Sequence, residues 1–186
     1  MANIHKISCA GFGGQGVMSM GQLLTYAGME EGKEVSWVPS YGPEMRGGTA
    51  NCSVTISDEP IGSPVFDNGI TISIAMNVPS YRKYVDKVAP GGSIFINSSI
   101  IHDEVKRDDI NVYRVPVNDI ATELGNQKLV NIIMLGAVIE VTKIVSPETI
   151  LHKAFLKLFG ESKAKLIPAN EKALAAGAES VKDQIK

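Results

Sequence analysis

Residues 4 to 17 read Ile4-His5-Lys6-Ile7-Ser8-Cys9-Ala10-Gly11-Phe12-Gly13-Gly14-Gln15-Gly16-Val17, and the fold turns on them. An apolar-rich run enters a glycine-dense turn, and a helical pattern opens directly behind it. Ile4 to Ala10 predicts a strand, and Gly11 to Gly16 fits G-x-G-x-x-G. Val17, Met20, Leu24 and Ala27 keep the three-to-four-residue spacing of a helix ending near Glu31, with Gly32 as its stop. Met18 and Leu23 widen its apolar surface, which predicts cover on more than one side. Strand, glycine turn and helix in that order are the opening unit of a layered α/β fold.

Working outward, Glu34 to Val38 predicts a short second strand. Ala50, Cys52, Val54 and Ile56 alternate with Asn51, Ser53, Thr55 and Ser57, a strand with one apolar and one polar face. Ile70 to Met76 alternates again, and Asn77-Val78-Pro79-Ser80 opens a short amphipathic helix through Val88, which Ala89-Pro90-Gly91-Gly92 is expected to stop. Ser93 to Asn97 and Val112 to Val115 read as strands, with a helix near Asn118 to Leu124. The remainder is helical: a buried helix from Leu129 to Ile144, a second begun by Ser146-Pro147-Glu148 and running to about Phe159, and a last one after Pro168. The expected architecture is a three-layer α/β/α sandwich with a mostly parallel, partly mixed sheet and a helical C-terminal third, as a single domain over residues 1–186.

Composition narrows the function. Eighteen Lys and Arg against 20 Asp and Glu leave a net charge of −2, no electrostatic footprint for nucleic acid or an anionic membrane. The longest apolar stretch, Leu129 to Val145, contains Asn131, Glu140 and Lys143 and falls short of the roughly 20 residues a membrane span needs. The N-terminus lacks the apolar core of a signal peptide, so a cytoplasmic protein is expected. Two cysteines, Cys9 and Cys52, are too few for the usual four thiolates of an iron–sulfur cluster and read as reduced core thiols. His5, His102 and His152 are scattered and suggest no zinc site. No metal site and no catalytic residue is expected, since no nucleophile has a base placed beside it.

Two segments carry chemistry. In the glycine loop, backbone N–H groups at a helix N-terminus and the positive end of the helix dipole suit a phosphate, and missing β-carbons let a ligand approach. Gly13, Gly14, Gln15 and Gly16 are therefore the candidate cofactor-binding residues. The same glycines are compatible with a purely structural turn. A dinucleotide site would also need an acid at the end of the second strand, where this chain has Val38-Pro39-Ser40. The second segment, Ser40 to Asn51, sets one Glu and one Arg among three glycines and a proline, a shaped loop rather than a core element. Tyr41, Glu44, Arg46 and Asn51 are its candidate interface residues, against the plainer reading of a solvated Glu44–Arg46 pair.

These two segments, GFGGQG at 11–16 and SYGPEMRGGTANC at 40–52, occur together with SDEPIGSPV at 57–65 and AMN at 75–77. The combination resembles the gamma subunit of 2-oxoacid:ferredoxin oxidoreductases, nearest those acting on 2-oxoglutarate or branched-chain 2-oxoacids, and domain III of the pyruvate enzyme. The motifs are specific from Ile4 to Asn97; beyond Val112 only helix order matches. The resemblance implies a complex that oxidatively decarboxylates a 2-oxoacid to an acyl-CoA and passes electrons to ferredoxin. It implies thiamine diphosphate, Mg and 4Fe–4S clusters on partner alpha, beta and ferredoxin-like delta subunits, with coenzyme A as the cofactor nearest this chain's glycine loop. Tyr41, Glu44, Arg46 and Asn51 would then face the thiamine-bearing chains. Pyruvate-type relatives carry a Lys one turn into the following helix, where this chain has Met20-Gly21-Gln22. A subunit of indolepyruvate:ferredoxin oxidoreductase, a stand-alone nucleotide-binding oxidoreductase and an isolated interaction module remain as alternatives.

The second segment yields a test. A solvated Glu44–Arg46 pair contributes at most about 1 kcal/mol, whereas removing an Arg desolvated in an interface costs about 2 kcal/mol or more. Arg46→Ala is expected to leave the Tm of the lone chain nearly unchanged while weakening assembly or turnover of the complex. Thermal unfolding of the chain beside gel filtration and activity of the reconstituted complex checks this, and a variant matching wild type in both returns Arg46 to the solvated surface.

Overall fold

The computed structural model describes residues 4–40 and 49–185. Its strands are β1 (Ile4–Phe12), β2 (Glu34–Ser40), β3 (Thr49–Ser57), β4 (Ile70–Ala75), β5 (Val88–Asn97) and β6 (Asn111–Val115). Its helices are α1 (Val17–Glu30), α2 (Val78–Tyr84), α3 (Val117–Glu123), α4 (Val130–Thr142), α5 (Pro147–Thr149), α6 (Phe155–Phe159) and α7 (Ile167–Glu179). A π turn over Ile150–Ala154 joins α5 to α6. The strands form one mixed sheet in the order β2-β3-β1-β4-β5-β6.

Only β3 runs against the rest. It pairs antiparallel with β1 on one side and β2 on the other, while β1–β4, β4–β5 and β5–β6 are parallel. The eight residues between β2 and β3 are fewer than the dozen or so that a parallel crossover needs, so the chain returns as an antiparallel neighbour. The expected mixed α/β sandwich is the fold found.

Strand alternation distributes the core. Ile7, Cys9, Val54, Ile56, Ile72, Ile74 and Phe95 face the layer built by α1, α4 and α7. Ala75, Ile94 and Ile96 face the opposite side, where Tyr81 of α2 and the 98–110 connection, through Ile101 and Ile110, cover them. The polar side of β3 lies on this second face, with Thr55 and Ser57 buried there. Helix α1 contacts the sheet through Gly21 and Gly28 as well as its apolar residues: a β-carbon on Gly28 would come within 2.9 Å of Val35 Cγ1, and one on Gly21 would collide with the Cys52 sulfur. It is covered on its other side by α4 and by the π turn and α6, as its broad apolar surface predicted.

One expectation is corrected. Ala89-Pro90-Gly91-Gly92 does not merely stop a helix. α2 ends at Tyr84, a 3₁₀ turn covers Val85–Lys87, and the Ala89–Gly92 run opens β5. Pairing with β4 shifts register between Ile70 and Ile72, and Gly91 takes φ 78°, a conformation glycine adopts without strain. By contrast, the Ser146 cap forms as read, its hydroxyl accepting from Thr149 N at 3.1 Å.

The C-terminal layer depends on two glycines. α4 is buried all round, from Val130 through Ile139, and α7 crosses it closely. A β-carbon on Gly136 would run into the Leu174 carbonyl, and one on Gly177 into the Ile133 carbonyl. Each glycine admits the other helix's backbone, and no side-chain rotation relieves a clash with a carbonyl oxygen. Gly177→Ala should therefore push the helices apart, costing about 3 kcal/mol and lowering Tm by roughly 10 °C. Gly62→Ala, with no atom within 4 Å of its would-be β-carbon, serves as the unchanged control. Equal unfolding curves for the two variants would refute the close crossing.

Candidate functional site

The candidate site forms where the sheet's connections change direction. From β1 the chain crosses by α1, on one face, to β2; from β4 it crosses by α2, on the other face, to β5. The carboxyl ends of β1 and β4 thus flank a topological switch point, the usual ligand crevice of open α/β sheets. The glycine loop lies there, between Phe12 and Val17.

Each loop residue has a separate reason for its identity. Gly11 lets β4 approach, since a β-carbon would fall 2.8 Å from Met76 Cβ and 2.9 Å from Val17 Cγ1. Gly13 has open space around it and is not in the left-handed region. Gly14 also faces open space but holds φ 91°. Gly16 is the N-cap of α1 at φ 72°, and a β-carbon there would lie 2.6 Å from Asn131 Nδ2. Gln15 points inward. Its Oε1 accepts from Phe12 N at 2.7 Å and its Nε2 donates to Met76 O at 3.0 Å, so one amide links the ends of β1 and β4.

That link continues along the sheet edge. Met76 O also accepts from Asn97 Nδ2 at 3.3 Å, and Asn97 Nδ2 donates to Asn118 Oδ1 at 2.9 Å. Asn77, of the AMN motif, caps α2: its Oδ1 accepts from Ser80 N at 2.8 Å, with proline at the start of the helix. Sequence reading did not single out Asn97, Asn118 or Asn131 as site residues. The available signal was an asparagine closing both β4 and β5.

The crevice offers donors rather than charge. α1 has no side-chain cap and no acid in its first turn, and its first intrahelical bond is Met20 N to Gly16 O at 2.9 Å. The amides of Val17, Met18 and Ser19 are therefore left for solvent or a ligand, at the positive end of the helix dipole, while Gln15 N is held by Phe12 O at 3.2 Å. Asn131 Nδ2 lies against Gly16 and adds an amide donor beside them. Beneath the loop, Cys9 and Cys52 are register partners across β1 and β3, both buried free thiols. Hydrogen bonding to the Cys52 sulfur pushes the Cys9 thiol up, and the same bond holds Cys52 below its ordinary range.

The interface residues divide. Tyr41, Glu44 and Arg46 lie outside the described residues. Asn51 is described: it is half-buried on β3, opposite Ala10 and Ser40, on the face away from the α1 core. Because Phe12 pairs with Thr49 and Ser40 with Asn51, β2 ends and β3 begins at the edge that carries the glycine loop. Among the described residues, no group of three His, Cys, Asp or Glu side chains converges to hold a metal, and no helix is long and apolar enough to cross a membrane.

The topology also removes the dinucleotide alternative's geometry. A ribose-binding acid sits at the end of a strand adjacent to β1, but here β3 separates β1 from β2. Two strand spacings place the end of β2 about 10 Å from β1, and that end carries Val38, Pro39 and Ser40.

Comparison with known proteins agrees with this architecture. The chain is 38% identical over 181 residues to the ketoisovalerate oxidoreductase subunit VorA of Methanothermobacter thermautotrophicus, covering 97% of this chain and 37% of that one. The chain thus spans little more than a third of that relative's length. It is 37% identical over 154 residues to the 2-oxoglutarate synthase subunit KorC of Methanocaldococcus jannaschii, covering 81% of each. The crystal structure of the keto/oxoacid ferredoxin oxidoreductase gamma subunit from Geobacter sulfurreducens superposes with a TM-score of 0.78 at 28% identity, over 95% of this chain and 97% of that one. The profile of the pyruvate ferredoxin/flavodoxin oxidoreductase family matches residues 6–180, and the chain belongs to that family.

Proposed function

We propose that this chain is the gamma-type subunit of a multi-subunit 2-oxoacid:ferredoxin oxidoreductase and lines the coenzyme A side of its active site. The observation that carries the reading is the glycine loop at the β1–β4 switch point, with open space at Gly13 and Gly14 and uncommitted amides at the head of α1. A coenzyme A phosphate suits that arrangement: backbone donors, a helix dipole and no opposing carboxylate in the first turn. The relatives' names point the same way, being subunits of ketoisovalerate oxidoreductase and 2-oxoglutarate synthase.

In this reading the chain supplies binding and position. Gln15 holds the loop against Met76, Gly14 and Gly16 take the left-handed turns, and Gly13 leaves room for the ligand. Thiamine diphosphate, Mg and 4Fe–4S clusters belong on the alpha, beta and delta partners, where decarboxylation and electron transfer to ferredoxin take place. The substrate is a 2-oxoacid of the branched-chain or 2-oxoglutarate class.

The test uses the complex reconstituted with the subunits encoded beside this chain. Wild type alone is expected to reduce no benzyl viologen with a 2-oxoacid and coenzyme A, and to do so when the partners are added. Gly13→Val is the discriminating variant, because its backbone is outside the left-handed region and its surroundings are empty, so the fold and Tm should be kept. It should raise the KM for coenzyme A about tenfold, a loss of about 1.4 kcal/mol, with the 2-oxoacid KM little changed. An unchanged coenzyme A KM in an assembled variant would reduce the loop to a tight turn.

A further inference from the structure

A second feature adjoins the glycine loop without belonging to it. Behind Asn131, the N-terminal end of α4, α6 and the start of α7 enclose a cleft of about 490 Å³. A second cleft of about 310 Å³ shares Asn126, Leu129 and Ala169 with it, so the two make one trough. Its floor is apolar, with Leu129, Ile132 and Phe155 buried. Its rim is apolar as well: Leu124, Phe159 and Leu166 are 37%, 39% and 43% exposed, three of the more exposed large hydrophobic side chains among the described residues. The i,i+4 spacing of α6 sets Phe155 and Phe159 side by side in this wall, with ring centroids 4.8 Å apart.

The charged residues that line the trough have one sign. Lys128, Lys163 and Lys172 line it, and no Asp or Glu does. None of the three lysines forms an ion pair among the described residues, whereas Lys87, Lys143, Lys157 and Lys182 each do. In a chain whose net charge is −2, an apolar trough edged only by unpaired ammonium groups is complementary to apolar side chains flanked by carboxylates. A small ligand is normally enclosed over most of its surface, whereas an apolar rim left in water suits a segment laid along a groove.

We propose that this trough docks an acidic amphipathic segment of another subunit of the complex. Apolar side chains of that segment sit against Leu129, Phe159 and Leu166, and its carboxylates meet Lys128, Lys163 and Lys172. Asn131 belongs both to the trough and to the wall of the glycine loop, so the docked segment lies next to the ligand crevice and closes one of its sides. The inference rests on the multi-subunit reading above and adds which face of this chain meets a partner, and by what chemistry.

The experiment is association of the purified chain with the subunits encoded beside it, followed by mass photometry, with hydrogen exchange of the complex. Lys128→Glu combined with Lys163→Glu should weaken assembly by about tenfold or more at low salt, and the deficit should shrink as salt screens the charges. Phe159→Ser should weaken it at every salt concentration, since its contribution is apolar. The lysine variant should unfold as wild type when alone, Phe159→Ser should stay folded with a Tm lowered by a few degrees through the lost ring contact with Phe155, and Lys106→Glu, an exposed charge elsewhere, should assemble normally. Amides of 127–132 and 155–166 should gain protection in the complex. Unchanged assembly of both variants would overturn the proposal. Protection of the same amides by coenzyme A alone would mark a small-anion site instead, and salt-sensitive self-association of the lone chain would mark a second copy as the occupant. Failure of the wild type to assemble would sink the subunit reading itself, a result distinct from an assembled wild type with indifferent variants.

Discussion

A side-chain amide ties the two halves of this sheet at their carboxyl edge, just beyond the last backbone bond between them, Met76 N to Ala10 O at 2.8 Å. Gln15 accepts from Phe12 N and donates to Met76 O, so the end of β1 and the end of β4 are held by a group that neither strand owns. Strand pairing between β1 and β4 stops at Ala10 and Ala75, and beyond those residues the chains diverge into crossovers on opposite faces. Without the amide, the Met76 carbonyl would keep only its long bond from Asn97. Losing one such hydrogen bond costs about 0.5–1.5 kcal/mol, and here the loss would fall on the segment that shapes the candidate crevice.

The antiparallel strand β3 has a comparable reach. By entering between β1 and β2 it brings Thr49 opposite Phe12, so β3 begins at the same edge as the glycine loop. It also moves β2 away from β1 and with it any chance of a ribose contact at the strand end. One topological change therefore disfavours a dinucleotide and sets the start of β3 beside the glycine loop. Cys52 on the core side of β3 and Gly21 of α1 are a matched pair in this packing, since the helix lies low enough that only a hydrogen fits over the sulfur.

The helical layer gives the crevice its far wall. Gly136 and Gly177 allow α4 and α7 to cross backbone to carbonyl, which fixes the height at which α4 begins. Its first turn then presents Asn131 to Gly16, while α6 buries Phe155 and leaves Phe159 at the surface. Loop, helix start and apolar trough are consequences of one packing arrangement, which is why a ligand crevice and a candidate docking face share a residue.

Much of this was legible in the chain itself. The strand–glycine–helix opening, the period-two alternation of β3 and the Ser146 cap are local features, set by backbone sterics and by which side chains meet water within a few residues. The likeness of 11–16 and 40–52 to a known family likewise needs only residue identities in order. What the sequence did not show depends on residues far apart meeting. Gln15 reads as a candidate cofactor-binding residue of the loop, and only the fold shows its side chain turned inward to Met76, 61 positions on, which supplies its acceptor. Ala89-Pro90-Gly91-Gly92 reads as a stop until β4 offers edge groups for it to pair with. Asn131 is an oddity in an apolar helix until α4 is seated against the loop, and Lys128, Lys163 and Lys172, spread over 45 positions, become one charge pattern only when three helical segments converge. Local preference settles which elements form because it acts within a turn or a strand pair. Hydrogen-bond partners, close crossings and charge clusters belong to the tertiary structure because they are fixed only when burial brings distant elements into contact.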